Sequence, residues 1–283
     1  MTTNGRHVGD SRRVTPKPAH LGPQYGAQFS DDSIVRAYRH RPPYPDELFV
    51  DLARLTMAAC RHEGNQATIL DAGCGSGDLT IGMLEHIPNI ERVDAVDISG
   101  GMVDEGRRRP GGDDPRLNWQ VAPVETARLN PPYALITAGE SLHWMDWPVV
   151  MPRFRDALLP GGVLAIAGRR EQRSAWTDEL LRIIQRYSTN RDFHPYSLID
   201  ELTSRRLFNR LGSFATSPVI HTQPVADYIE SWHSRNGLSR DRMGHAAAEA
   251  FDNEVRELLD SHGVRDAVTF QNVGTLTWGL PDG

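Results

Sequence analysis

The ten residues Ile69-Leu70-Asp71-Ala72-Gly73-Cys74-Gly75-Ser76-Gly77-Asp78 leave this chain few folds to choose from. Two β-favouring apolar residues end on a carboxylate, three glycines alternate with small residues, and a helix-like pattern follows. That order is a strand, a tight turn and a helix start, the geometry in which a parallel sheet presents bare backbone to a nucleotide-like ligand. Glycine lets the chain bend sharply there and lets a ligand approach without a Cβ in the way. The spacing is G-x-G-x-G, whereas a dinucleotide site has G-x-G-x-x-G, and Asp78 stands where the third glycine of that pattern falls. A carboxylate at that helix start, with a second at Asp71, repels a pyrophosphate and suits a ligand carrying positive charge. The turn reads as a site for adenosine without phosphates.

The next segment agrees. Val93-Asp94-Ala95-Val96-Asp97-Ile98 alternates in strand fashion and ends on Asp97. An acid at the tip of the second strand accepts hydrogen bonds from both ribose hydroxyls and rejects a phosphorylated ribose. With D-A-G-C-G-S-G at 71–77, V-D-I-S at 96–99 and L-L-P-G-G at 158–162, the chain resembles the class I S-adenosylmethionine-dependent methyltransferases. Arg41-Pro42-Pro43-Tyr44-Pro45 and Ser141-Leu142-His143-Trp144 are similar to the branch that includes trans-aconitate methyltransferase and the methyltransferase type 11 natural-product enzymes. The resemblance is close over residues 29–168 and holds in outline beyond. It implies a Rossmann-like α/β fold: a mostly parallel, seven-stranded sheet, helices on both faces and a helical cap inserted after the fifth strand. It also implies S-adenosyl-L-methionine as cofactor.

Composition fits one catalytic domain. A chain of 283 residues can bury an ample core, and a net charge of -6 gives no electrostatic footprint for nucleic acid or an anionic membrane. No apolar run approaches the ~20 residues that span a bilayer, and the polar N-terminus lacks a signal-peptide core. Two cysteines, Cys60 and Cys74, make no disulfide framework, so a reducing cytoplasm is expected. There is no C-x-x-C pair and no H-E-x-x-H, so no metal is expected. Lys17 is the only lysine, which reads as a compositional bias.

Along the chain, residues 1–24 are rich in Pro, Gly, Thr and Arg without periodicity and are expected to form a disordered tail. Residues 25–168 form the cofactor-binding core. Helices are expected over 29–38, from Pro45 onward, and over 78–86, 99–108 and 148–159. Strands are expected over 68–71, 91–97, 117–121, 133–138 and 162–168. The pattern then changes. Trp176, Leu180, Ile183, Ile184 and Tyr187 form a helical stripe, followed by the aromatic loop Phe193-His194-Pro195-Tyr196. Residues 169–212 are expected to be a cap over the substrate, whose arginines Arg173, Arg182, Arg186 and Arg191 could hold an acidic acceptor; the other reading is an ordinary helical elaboration that only packs. Residues 213–283 complete the core, with one strand from Phe214 to His221, helices from Pro224 to Ser261 and a last strand from Val268 to Thr277.

Direct displacement at a sulfonium methyl asks the protein mainly to align two reactants, exclude water and remove a proton where needed. Gly73, Cys74, Gly75, Gly77 and Asp97 are expected at the cofactor. Asp71 orders the loop or meets the ligand ammonium through water. The third strand leads into Ala122-Pro123-Val124-Glu125, where relatives often carry an acid for the adenine amine. Pro123 removes both that acid and a backbone donor, so adenine contacts fall to Val124 or Glu125. The resemblance adds Ile98, Met102, Ala138 and Gly139 to the cofactor set and gives Arg41 the methionine carboxylate, as a planar fork can. Tyr38 and Tyr44 either wall the same pocket or fasten the N-terminal helices to the core. His143 is the catalytic candidate, as general base or as pocket wall. Trp144 and Trp147 are expected over the cofactor, with Trp176 and Tyr196 on the acceptor.

The expected activity is methyl transfer to a carboxylate, hydroxyl or amine of a small organic metabolite, by a monomer or homodimer. Two other readings stay open: a fold relative that binds the same cofactor for another reaction, and a regulatory protein that senses the cofactor without turnover.

Overall fold

The structure is a computed structural model and describes residues 16–60 and 66–282. Among these, eight strands form one sheet: β1 (Ala67–Ala72), β2 (Ile90–Asp97), β3 (Leu117–Val121), β4 (Tyr133–Gly139), β5 (Leu158–Glu171), β6 (Phe208–Ala215), β7 (Val219–Pro224) and β8 (Ala267–Pro281). Their order is β3-β2-β1-β4-β5-β8-β6, with β7 also paired to β8. The first five strands are parallel, and β8 runs antiparallel to β5, β6 and β7. Strand order reverses between β1 and β4. In open α/β sheets that reversal opens a crevice at the carboxyl ends of the strands, where ligands bind.

The helices are α1 (Pro23–Gly26), α2 (Asp32–Tyr38), α3 (Asp46–Cys60), α4 (Asp78–His86), α5 (Gly100–Arg108), α6 (Trp147–Ala157), α7 (Thr177–Tyr187), α8 (Leu198–Ser204), α9 (Val225–His233), α10 (Arg240–Met243) and α11 (His245–Ser261). Neighbouring strand residues bury on opposite faces. Leu70, Ile136 and Leu164 join Val150, Met151 and Phe154 of α6. Ile69, Leu135 and Ala165 join Leu48, Phe49 and Leu52 of α3 and Met83 of α4. Both layers therefore hold the ends of β1 and β4 rigidly beside the crevice.

Three expectations change. The single strand expected over 214–221 is two, so the sheet has eight strands and not seven. Pro218 has no N–H for a ladder bond, and the 15-residue β8 is long enough to pair β6 and then β7 along its length. Residues 16–24, expected in a disordered tail, are packed: His20 and Leu21 are buried, and Lys17 Nζ donates to Met145 O at 3.0 Å. The apolar side chain of Leu21 joins the α6 side of the core, which a reading by composition could not foresee. The rest of that expected tail, residues 1–15, lies outside the described residues. Finally, the expected cap is not purely helical, since β5 runs on to Glu171 and β6 begins at Phe208.

No helix among the described residues is long and apolar enough to cross a membrane.

Candidate functional site

The glycine turn leaves β1 at the crevice. Gly73 N and Cys74 N both donate to Val96 O, at 2.8 and 3.0 Å, which ties the turn to β2. Gly73 has φ +71°, and a Cβ there would lie 2.4 Å from the Ser141 Cβ, so the turn after β1 and the turn after β4 touch where only glycine fits. Gly77 serves packing instead: its Cβ position is filled by the Trp119 ring, 2.6 Å away.

Above this turn lies a cavity of about 390 Å³, within the ~300–1,000 Å³ usual for small-ligand sites. Its walls include Gly73, Gly75, Asp97, Ile98, Met102, Val124, Glu125, Gly139 and Trp144, all expected at the site, together with Tyr38. Asp97 sits at the tip of β2, 8% exposed. Its Oδ2 accepts from Gly75 N and its Oδ1 from Ser99 N, each at 2.8 Å, leaving each oxygen a further lone pair. Burial raises its pKa, opposed by those two backbone donors. Capping of α5 falls to Ser99, whose Oγ accepts from Met102 N at 3.3 Å. Asp97 is thereby free of that duty.

Toward β3, the Val124 N–H has no acceptor among the described residues, and Ile98 is 55% exposed at the cavity wall. An apolar face beside a free N–H suits a flat heteroaromatic ring. Glu125 is partly engaged, since its Oε1 accepts from Asp146 N at 2.7 Å. Trp144, also on the wall, has a buried Nε1 without a hydrogen-bond partner, a donor for which a ligand is a natural acceptor.

Beneath the turn, Asp71 is buried. Its Oδ2 accepts from Thr80 Oγ1 at 2.6 Å and its Oδ1 from Thr137 Oγ1 at 2.8 Å, so it joins β1 to β4 and α4. Burial lifts its pKa to about 6, against those two hydrogen bonds. Both of its oxygens are thus engaged within the protein. Cys74 and Tyr44 face the same small chamber. Tyr44 is 6% exposed and carries the Arg169 guanidinium 4.5 Å over its ring, which makes it a fastener of the core.

Several expected residues stand elsewhere. The Arg41 fork is occupied: Nε donates to Ser234 Oγ at 2.8 Å, Nη2 to Ser234 O at 2.7 Å and Nη1 to Glu140 Oε2 at 3.2 Å. It reaches the cavity only through Glu140 and through Tyr38, over whose ring it lies at 4.2 Å. Ala138 is a fully buried core residue. His143 is absent from the cavity wall and packs behind Trp144, ring centroids 4.5 Å apart. Burial lowers its pKa to about 4, opposed by Glu140. Trp147 is 1% exposed and donates to Leu142 O at 2.8 Å, so its N–H is satisfied inside the core. Trp176 is buried among α7, α9 and α11, and Tyr196 packs on the His20 ring at 4.8 Å. No residue of 169–212 lines the cavity; its roof is Pro23, Gly26, Ala27 and Phe29 of the N-terminal segment, with Phe29 5.6 Å from the Trp144 ring. A stripe as apolar as Trp176-Leu180-Ile183 buried itself against the nearest apolar helix, α11.

Two residues that sequence reasoning missed govern the charge here. Glu140 follows Gly139 with φ +53°, a conformation that costs a non-glycine residue energy and clusters at functional sites. Its Oε2 takes Arg41 at 3.2 Å and Arg169 Nε at 3.4 Å. Burial alone would raise its pKa, but Arg169 and Arg41 hold it below its ordinary value. Arg169, at the end of β5, also pairs with Asp78 Oδ2 at 2.8 Å, while Arg109 bonds Asp78 Oδ1. Asp78 is thus neutralised and not the bare charge expected. The one signal in the sequence was position: both residues end strands on the side of the sheet where ligands bind.

Residues 69–162 match the methyltransferase domain family. Malonyl-[acyl-carrier protein] O-methyltransferase of Anoxybacillus flavithermus is 37% identical over 81 residues, 29% of this chain and 30% of that protein. Trans-aconitate 2-methyltransferase of Methylobacterium nodulans is 33% identical over 116 residues, 41% of each chain. The matches thus span less than half the length of these curated relatives. Among solved structures, a candidate type II methyltransferase from Anaeromyxobacter dehalogenans superposes with a TM-score of 0.57 at 21% identity, covering 85% of this chain and 99% of that one. The fold is the Rossmann-like class I methyltransferase fold.

Proposed function

We propose that this chain, whose residues 69–162 are a methyltransferase domain, transfers a methyl group from S-adenosylmethionine to a carboxylate, hydroxyl or amine of a small organic molecule and releases S-adenosylhomocysteine. The observation that carries the reading is Asp97, which lines the cavity beside Gly75 with a lone pair left on each carboxylate oxygen. Two neighbouring hydroxyls fit that carboxylate, and a phosphorylated ribose does not. The relatives that match the core are O-methyltransferases or methyltransferases by name, which supports the same activity.

When bound, the cofactor supplies a methyl group already activated by its sulfonium. The chain's residues then bind, align and dry the site. Asp97 would take the ribose, and the Val124 N–H and the Ile98 face the adenine. The glycine turn would lie along the amino-acid end, and Trp144 would wall the cavity. Phe29 and its neighbours lie over the cavity, and a ligand closed under them would be held out of water, which strengthens polar contacts. Alignment of this kind is worth ~7–11 kcal/mol in favourable cases, so no strong base is required. His143, neutral and behind Trp144, is assigned to shaping the wall.

Calorimetry with S-adenosylhomocysteine and a nicotinamide dinucleotide tests binding, with micromolar affinity (~8 kcal/mol) expected for the first alone. Incubation with cofactor labelled in the methyl group and a metabolite extract tests turnover. Dinucleotide binding without S-adenosylhomocysteine binding would end the reading, and cofactor binding without any labelled product would leave a sensor.

A further inference from the structure

Behind Glu140 lies a second, smaller cleft that the reading above does not use. It holds about 20 Å³ of free space, enough for one small polar group. Its walls come from the end of β5 (Arg169, Arg170, Glu171), from Tyr228 of α9, from Arg235 just beyond that helix, and from Arg41. Four arginines and two glutamates, Glu140 and Glu171, line it, with Arg170 exposed at its edge. Arg169 is also paired with Asp78, which Arg109 shares.

The partners are unevenly shared. Arg41 is bonded to Ser234 and Glu140, and Arg169 to Asp78, Glu140 and Pro42 O. Glu171 takes the Tyr228 hydroxyl, 3.2 Å from each of its oxygens. Arg235 is different. Its guanidinium lies 4.2 Å over the Trp232 ring and makes no hydrogen bond or close ion pair among the described residues; Glu140 and Glu171 act on it only from longer range, and its Nε is buried without a partner. A buried donor with no acceptor costs free energy, the more so when charged. A planar fork held flat on an indole is pre-shaped for a carboxylate. Because Glu140 lines both this cleft and the cofactor cavity, the two adjoin at the end of β4.

We propose that Arg235 holds a carboxylate of the methyl acceptor, so that the acceptor is an organic acid. The proposal rests on the methyl-transfer reading and narrows its substrate class. It also replaces the arginines of the expected cap. Arg173, Arg182, Arg186 and Arg191 are all exposed, with Arg173 paired to Asp178 and Arg186 to Glu254, and none lines either cavity.

The test is calorimetric, on the full chain saturated with S-adenosylhomocysteine, with succinate as probe and its diamide, succinamide, as the uncharged control. Succinate is expected to bind at least tenfold more tightly than succinamide. In Arg235→Gln, succinate affinity should fall at least tenfold while that for S-adenosylhomocysteine stays within twofold. Arg235→Lys, which keeps the charge and loses the fork, should fall between, and it serves if the glutamine variant does not fold. Equal binding of succinate and succinamide overturns the proposal in the wild type alone. So does succinate binding that S-adenosylhomocysteine abolishes, because the cleft would then serve the cofactor's own carboxylate. A chain that binds no S-adenosylhomocysteine ends the methyl-transfer reading instead, a failure visible before succinate is added.

Discussion

Arg169 Nη1 lies 2.8 Å from Asp78 Oδ2, so the acid at the start of α4 is one half of a buried ion pair. Arg109 bonds the other oxygen, and Arg169 continues to Glu140 and so to Arg41. The result is a chain of alternating charge that fastens the glycine turn, the end of β4, the end of β5 and the N-terminal segment together. Discrimination against a pyrophosphate therefore rests less on Asp78 than on Asp97.

Breaking that chain at its centre should be costly. The Arg169 side chain is 4% exposed, and Arg169→Gln would leave Asp78 and Glu140 short of a cation in a dry site. Removing one partner of a buried pair typically costs ~3–5 kcal/mol. For a chain of this size that corresponds to a drop in Tm of several degrees, at roughly 2–4 °C per kcal/mol. Adding Asp78→Asn should recover part of the loss. A single variant that melts with the wild type would show the chain to be dispensable.

Gly73→Ala tests the contact between the two turns. The backbone at φ +71° disfavours any Cβ, and the new methyl would lie 2.4 Å from Ser141 Cβ. Strain of this kind costs on the order of 1–3 kcal/mol. Because Gly73 and Ser141 both line the cavity, S-adenosylhomocysteine affinity should fall together with Tm. Unchanged affinity in a stable variant would place the cofactor away from this turn.

Asp97→Asn separates charge from shape. The amide can keep one of the two backbone bonds from Gly75 and Ser99 and loses charge toward the cavity. Cofactor affinity should weaken by roughly 1.5–3 kcal/mol, the range for hydrogen bonds to a charged group. Asp97→Ala is a poorer probe, since it also releases two backbone N–H groups. An unaltered Kd for the asparagine variant would remove Asp97 from the ribose.

The parts of this site legible in the sequence were those set by local geometry. A strand, a turn that needs glycine and a helix start lie within ten residues, so their pattern carries both the turn after β1 and Asp97 after β2. Helical spacing of apolar residues and strand alternation likewise match α4 and β3 at their observed bounds. The rest depended on contacts distant in sequence. Arg41 met Ser234, 193 residues away, and Arg169 met Asp78; no local pattern encodes either pair. Trp176 was misplaced for a related reason. An aromatic stripe on a helix shows that something covers it, and α11 was the partner where a ligand was expected. The roof came from Pro23 to Phe29, a stretch too short and too rich in glycine to show periodicity.

The last prediction concerns pH. Burial holds His143 at about 4, below its ordinary 6.5. Between those values the unfolded chain takes up a proton that the folded chain refuses. The contribution to stability is thus complete above pH 6.5 and is lost as pH falls toward 4. From pH 7 to pH 5 the loss is about 2 kcal/mol, so His143→Asn should lose correspondingly less Tm than the wild type over that interval. Asp71 acts in the opposite direction, because its carboxyl is raised to about 6 and its contribution is lost as pH rises through that value. Comparing wild type with the His143 variant cancels the Asp71 contribution, which is common to both. The same pKa bears on turnover. A neutral His143 that only shapes the wall gives a rate that is flat from pH 6 to 8, and His143→Asn keeps most of it, with any change falling mainly in the acceptor KM. A wild-type inflection near pH 6–7 that disappears in the asparagine variant, with a ~10²–10⁴-fold loss of kcat, would make His143 the base after all.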